Sequence, residues 1–317
     1  LKKEAKTFIL IYFEDNMITR GDGMNTAARS VATETSGRVV FILGMHRSGT
    51  SMLARLLATQ GLPLGESLLD RPARDNRHGY WEQAEIVAVQ EALLDGYDRT
   101  WHGPNGLQPL PEGWLQAPAT VAAKARLTAI VAREIARAGG LWGFKDPRSL
   151  RLLPLWREII AELALDPVFI LAARAPGAVA ASLMRRNRMS RRFAEALWAA
   201  HTIDAMAGAG AELAAVIDYD GWFTAPDAIA AHLRARLALP PRAPDGIARL
   251  IDPRLRHHGA DAGAVHPAFQ ALHDALVAHA PHPPPQATLQ AAFVAAAAAL
   301  ATVRDTTNTS SRYPRTT

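Results

Sequence analysis

Four short apolar runs, residues 39–43, 141–144, 167–172 and 214–219, are each bounded by glycine or polar residues. Stretches of helical periodicity separate them, over 51–60, 83–94, 117–138, 152–163, 178–184 and 191–213. Runs this short and this apolar read as strands buried on both faces. Strands joined through helices pair in parallel, because a parallel connection must cross the sheet. The chain is therefore expected to be α/β, with a mainly parallel sheet and its ligand beyond the carboxyl ends of the strands.

An apolar share of 49% over 317 residues is ample for a core. The longest apolar runs, 39–43, 167–173 and 293–301, fall short of the roughly 20 residues that cross a bilayer, so no transmembrane segment is expected. The chain has no cysteine, which excludes disulfides, thiolate metal sites and a cysteine nucleophile. A formal charge of +5 favours anionic partners, yet the arginines are scattered and do not alternate with aromatics, so nucleic acid is not among the expected partners. Residues 1–37 read as a flexible lead with Met24 as the natural start, 38–258 as the functional domain, and 259–317 as an Ala/Pro-rich helical segment with a polar tail. Cytoplasmic location is the default expectation.

The first strand runs into "LGMHRSGTSM". Gly44 and Gly49 have the spacing of a phosphate-binding loop, in which the chain turns off a strand and a helix starts with its unpaired amides aimed at an anion. The nucleotide-triphosphatase pattern needs lysine at position 50, where this chain has Thr50 followed by Ser51, with Arg47 and His46 inside the loop. Two further strand ends carry cations. "GFKDPR" places Lys145, Asp146 and Arg148 after the second strand, and "AARAPG" places Arg174 after the third, ahead of a helix with Ser182. Three cations on one rim point to an anionic ligand.

The segments "MHRSGTSM", "KDPR" and "RAPGAVAASLMRR" together resemble the sulfotransferases that use 3'-phosphoadenosine 5'-phosphosulfate, in particular bacterial and carbohydrate-type members. The resemblance covers about residues 38–258. It implies a three-layer sandwich of the P-loop nucleoside triphosphate hydrolase-like kind and transfer of a sulfuryl group, with adenosine 3',5'-bisphosphate as product. His46, Arg47, Ser48, Gly49, Thr50 and Ser51 would hold the 5'-phosphosulfate, and Arg174 with Ser182 the 3'-phosphate. Arg254 or Arg256, in "IDPRLRHH", would approach the same phosphate. Arg47 stands where many members have lysine; it is expected to orient the sulfuryl group, leaving Lys145 as the flexible cation near the bridging oxygen.

Sulfuryl transfer from such a donor needs cations for the equatorial and leaving oxygens, an in-line acceptor and a base, and it needs no metal. The histidines have no metal-site spacing. The segment 74–94 gathers Asn76, His78, Tyr80, Trp81 and Glu82 ahead of a helix, and Glu82, then His78, is the expected base. Trp101, His102, Trp114, Trp142 and Trp198 are candidates to line an acceptor cleft for a saccharide, lipid or small-molecule hydroxyl or amine. Two rival readings are a small-molecule phosphotransferase using ATP and magnesium, and a non-catalytic nucleotide- or glycan-binding module.

Overall fold

The computed structural model describes residues 37–69, 79–240, 247–252 and 264–310. Residues 1–36 and 311–317 lie outside the described residues, and Gly37, expected in the lead, opens the first strand. Four strands, β1 (Gly37–Leu43), β2 (Leu141–Lys145), β3 (Leu165–Ala173) and β4 (Leu213–Asp218), form one sheet in the order β2-β1-β3-β4. Every pairing is parallel, with Ile42 opposite both Lys145 and Ile170, and Leu171 opposite Val216. The carboxyl ends of β1, β2 and β3 therefore lie side by side on one rim.

Both faces of this sheet are covered, as a parallel sheet requires. Along β1, Val39, Phe41 and Leu43 enter one apolar cluster while Val40 and Ile42 enter another. β3 alternates in the same way, Phe169 and Leu171 against Val168 and Ile170. The smaller cluster is closed by α1 (Thr50–Thr59) and α7 (Pro226–Leu237), through Leu53, Leu57, Leu233 and Leu237. The larger is closed by α2 (Ala84–Gly96), α3 (Pro118–Arg137), α4 (Leu153–Glu162), α5 (Pro176–Asn187) and α6 (Arg191–Ala209). The result is the expected three-layer α/β sandwich.

Local chemistry sets the helix starts. Gln83 caps α2 by accepting from the Ile86 amide at 2.8 Å, and Ser190 caps α6 by accepting from the Phe193 amide. Proline occupies the first turn of α3, α4, α5 and α7, where its missing N–H is harmless. α6 stops at Gly210 and a 3-10 turn separates it from β4, so the single helical stretch expected over 191–213 is shorter.

Two helices follow the sheet: α8 (Pro267–Val277) and α9 (Gln286–Ser310). Phe269, Leu272, Leu289, Phe293 and Leu300 enter the same core cluster as β1 and β3. Between the helices, the Pro281 carbonyl accepts from the Val216 amide at 3.2 Å, which occupies part of the outer edge of β4. Gln286–Thr306 of α9 is long and apolar enough to cross a membrane by length and composition alone. The uninterrupted apolar run 293–301 is shorter than this helix because Gln290 precedes it and Thr302 and Arg304 follow it. Its Leu289, Phe293, Ala296, Leu300 and Val303 form a buried stripe, as on a helix packed against protein.

Candidate active site

The turn after β1 needs both of its glycines. Gly44 has φ +144, and a Cβ there would stand 2.8 Å from the Ala172 carbonyl oxygen. Gly49 has φ +92, and a Cβ there would stand 2.5 Å from Cδ2 of Tyr219. Between them the Ser48 amide closes a tight turn onto the Met45 carbonyl at 3.0 Å, and Arg47 adopts a left-handed backbone with φ 74. α1 starts at Thr50 without a side-chain cap, which leaves the positive end of its dipole for another group.

Two residues from the third strand-to-helix connection close on this loop. The Arg47 Nε donates to Ser182 Oγ at 2.9 Å, and the Arg174 Nη1 donates to the Arg47 carbonyl at 3.0 Å. Arg174 and Ser182 thus meet through Arg47. The Arg174 guanidinium lies over the Tyr219 ring, 4.1 Å from its centroid, and Trp198 Nε1 anchors the Arg174 carbonyl at 3.0 Å. Arg174 is 8% exposed and has no ion-pair partner among the described residues. Burial pulls its pKa down, with Arg47 adding to the effect. A buried cation without a carboxylate is costly and is relieved by an anion.

At the end of β2 the opposite situation holds. Lys145 forms a buried ion pair with Glu82 and also donates to the Tyr80 carbonyl at 3.1 Å. Ser51 Oγ donates to that same carbonyl at 3.2 Å, so residues 80–82 are fastened to the start of α1. Arg148 reaches Glu82 at 3.5 Å, Glu91 at 3.0 Å and Asp146 at 2.9 Å. Gln90 Nε2 donates to Asp146 at 2.7 Å, while Ser149 and Trp156 donate to the Gln90 oxygen. Burial raises the Asp146 carboxyl, with Arg148 pulling the other way. Lys145 is therefore clamped, which corrects the expectation of a flexible cation: two acceptors and the low exposure of its side chain hold it.

His46 stacks on Trp101, with ring centroids 4.2 Å apart. The residue is half-buried, but its Nε2 is sealed and has no hydrogen-bond partner. Burial lowers its pKa well below the usual value, and the charges of Arg148, His201, Lys145 and Arg186 deepen the effect. The ring is neutral at neutral pH.

The loop residues 46–51, Arg174, Ser182, Lys145 and Glu82 are thus gathered around the carboxyl ends of β1, β2 and β3. His78, Arg254 and Arg256 lie outside the described residues. Of the aromatics proposed for an acceptor cleft, Trp142 and Trp198 are corrected to core residues at 0% and 2% exposure. Trp142 stacks on Phe144 inside the sheet cluster, and Trp198 turns its N–H to the Arg174 carbonyl. Trp101 and Trp114 are half-buried against the same cluster. Sequence reading missed Tyr219 as a site residue. Its one signal was an aromatic at the carboxyl end of the fourth strand, on the rim that carries the cations.

No protein-family model and no curated protein matches the chain. Among solved structures, the sulfotransferase domain from the curacin biosynthetic pathway is 16% identical, with a TM-score of 0.42 over 84% of this chain and 98% of that chain. The sulfotransferase domain from the Synechococcus PCC 7002 olefin synthase is 20% identical, with a TM-score of 0.42 over 88% of this chain and 98% of that chain.

Proposed function

We propose that this protein transfers a sulfuryl group from 3'-phosphoadenosine 5'-phosphosulfate to an acceptor hydroxyl or amine. The observation that carries the reading is Arg174, a buried guanidinium with no carboxylate partner among the described residues, held against the loop of 44–51 by the Arg47 carbonyl. A cation so placed, beside an uncapped helix start, suits a ligand that carries anionic groups at two points.

In this reading the amides at the start of α1 and the Arg47 side chain take the 5'-phosphosulfate. Arg174 and Ser182 take the 3'-phosphate. The donor supplies an activated sulfuryl group whose leaving group is a phosphate. The acceptor proton passes to Glu82, and Lys145, held between Glu82 and the Tyr80 carbonyl, supplies positive charge beside it. The Glu82 oxygen that accepts from Lys145 must be released to take the acceptor proton, so Lys145 turns from Glu82 toward the leaving oxygen as negative charge builds there.

Calorimetric titration with adenosine 3',5'-bisphosphate tests the donor site. Tight binding is expected, weakened about 10- to 100-fold in Arg174→Ala, the range for losing charge-assisted hydrogen bonds of about 1.5–3 kcal/mol. A preference for ATP with magnesium, or equal affinity in Arg174→Ala, overturns the assignment. Where the expected result is obtained, labelled phosphosulfate identifies the acceptor among saccharides, lipids and small metabolites.

A further inference from the structure

Tyr219 belongs to none of the segments from which the donor site was read, yet it touches two of them. Its backbone is fixed by the sheet, where its amide donates to the Ala173 carbonyl at 2.8 Å, one residue before Arg174. The residue is buried by that placement, with Phe223 packed edge-on at 5.5 Å. One face carries the Arg174 guanidinium at 4.1 Å. The ring edge lies against Gly49, so closely that a Cβ at that position would fall 2.5 Å from Cδ2.

We infer that Tyr219 is a positioning residue that sets the protein's preference for a nucleotide with a 3'-phosphate, by fixing the plane of the Arg174 guanidinium with its ring. The inference rests on the donor reading above. Arginine carries four rotatable bonds, and a guanidinium pinned flat on an aromatic face while bonded to a carbonyl has lost most of that freedom before ligand arrives. Gly49 and Phe223 lie against the ring and fix it in turn, so a change in Tyr219 is felt at the Arg174 end of a bound nucleotide. Its ring, and not its hydroxyl, supplies both contacts.

The test is calorimetry on the full chain with two probes, adenosine 3',5'-bisphosphate and adenosine 5'-phosphate. Tyr219→Leu is expected to weaken the bisphosphate about tenfold while leaving the monophosphate within about twofold, so the ratio of the two affinities collapses. Tyr219→Phe is expected to keep the wild-type ratio. The cycle with Arg174→Ala is expected to be non-additive, Arg174→Ala costing far less in the Tyr219→Leu background than alone. Tyr219→Met, closer in volume, replaces the leucine variant if that chain does not fold, as judged by its circular dichroism. An unchanged affinity ratio in the folded leucine or methionine variant overturns the inference and leaves the donor reading standing. Absence of bisphosphate binding in the wild type overturns the donor reading and the inference with it. Equal loss of both probes also overturns it, because a merely structural ring would damage the whole loop.

Discussion

Residue-level chemistry divides the rim into two halves with opposite electrostatics. On the β3 side Arg174 is buried with a carbonyl and an aromatic face against its guanidinium, and Asp220 acts on its charge only from beyond ion-pair distance. On the β2 side Lys145 and Arg148 are met by Glu82 and Asp146, so that half is already close to neutral. The first half calls for an anion, while the second is a preset charge pair whose members can exchange partners. Removing one member exposes the difference. Glu82→Gln leaves a buried ammonium without its carboxylate, and stability is expected to fall by about 3 kcal/mol, the lower end for breaking a buried pair. Urea unfolding checks this, and a loss under about 1 kcal/mol would mean that Lys145 finds solvent or another acceptor. Sulfuryl transfer should also be lost in this variant, with bisphosphate affinity retained.

At the scale of elements, the segment between α2 and α3 is held in place from outside itself. Arg151, in the 3-10 turn Pro147–Leu152 after β2, donates to the Gly106 carbonyl and the Gln108 carbonyl at 2.7 Å each, and pairs with Asp204 of α6 at 2.6 Å. Arg304 of α9 donates to the Leu107 carbonyl at 2.6 Å. Burial presses the Arg304 pKa down to about 10, which still leaves it charged at neutral pH. These two arginines fasten the stretch that carries Trp101 onto the core, and Trp101 covers His46. In Arg151→Met, hydrogen exchange of the amides in 100–110 is expected to accelerate strongly while those of β1 and β3 stay protected. Uniform acceleration through the sheet would instead make Arg151 a part of the global core. α9 thereby reaches the stretch that carries Trp101, where no residue of it was expected.

For the whole molecule, the buried imidazoles govern the acid limb of stability. His201 is fully buried; its Nδ1 shares a hydrogen bond with the Leu197 carbonyl and its Nε2 has no partner. Burial first, and then the charge of Arg151, push its pKa down to about 3. His46 is shifted in the same direction by burial. A group whose folded pKa is depressed takes up its proton more readily in the unfolded chain. Stability is therefore expected to be full above about 6.5, the ordinary histidine value, and to decline as pH falls from there toward about 3. The slope per histidine is up to about 1.4 kcal/mol per pH unit. Asp146 and Asp218, whose carboxyls burial pushes up, act in the opposite sense at the acid end of that window. Urea midpoints between pH 7 and pH 5 check this, and His201→Gln should flatten the dependence. An unchanged slope in that variant would locate the acid sensitivity elsewhere.

The sequence by itself determined the elements and their punctuation. The four predicted strands lie within a few residues of β1 to β4, because a short apolar run bounded by glycine or charge can bury both faces in only one way. The loop of 44–51 was legible for the same local reason: its two glycines occupy backbone conformations that an L side chain rarely adopts. α7 was not foreseen, since alanine and charge blur its periodicity and a proline start looks like a loop. Tertiary structure alone decided which side chains meet. Arg47 with Ser182, Lys145 with Glu82, and Tyr219 with Gly49 and Arg174 are distant in the chain and depend on strand order. It also sent Trp142 and Trp198 to the core and clamped Lys145. Hydrogen bonding within a turn and hydrophobic periodicity act over a few residues, so they can be read along the chain. Pairing across a sheet depends on the order β2-β1-β3-β4, which long-range packing of the layers selects.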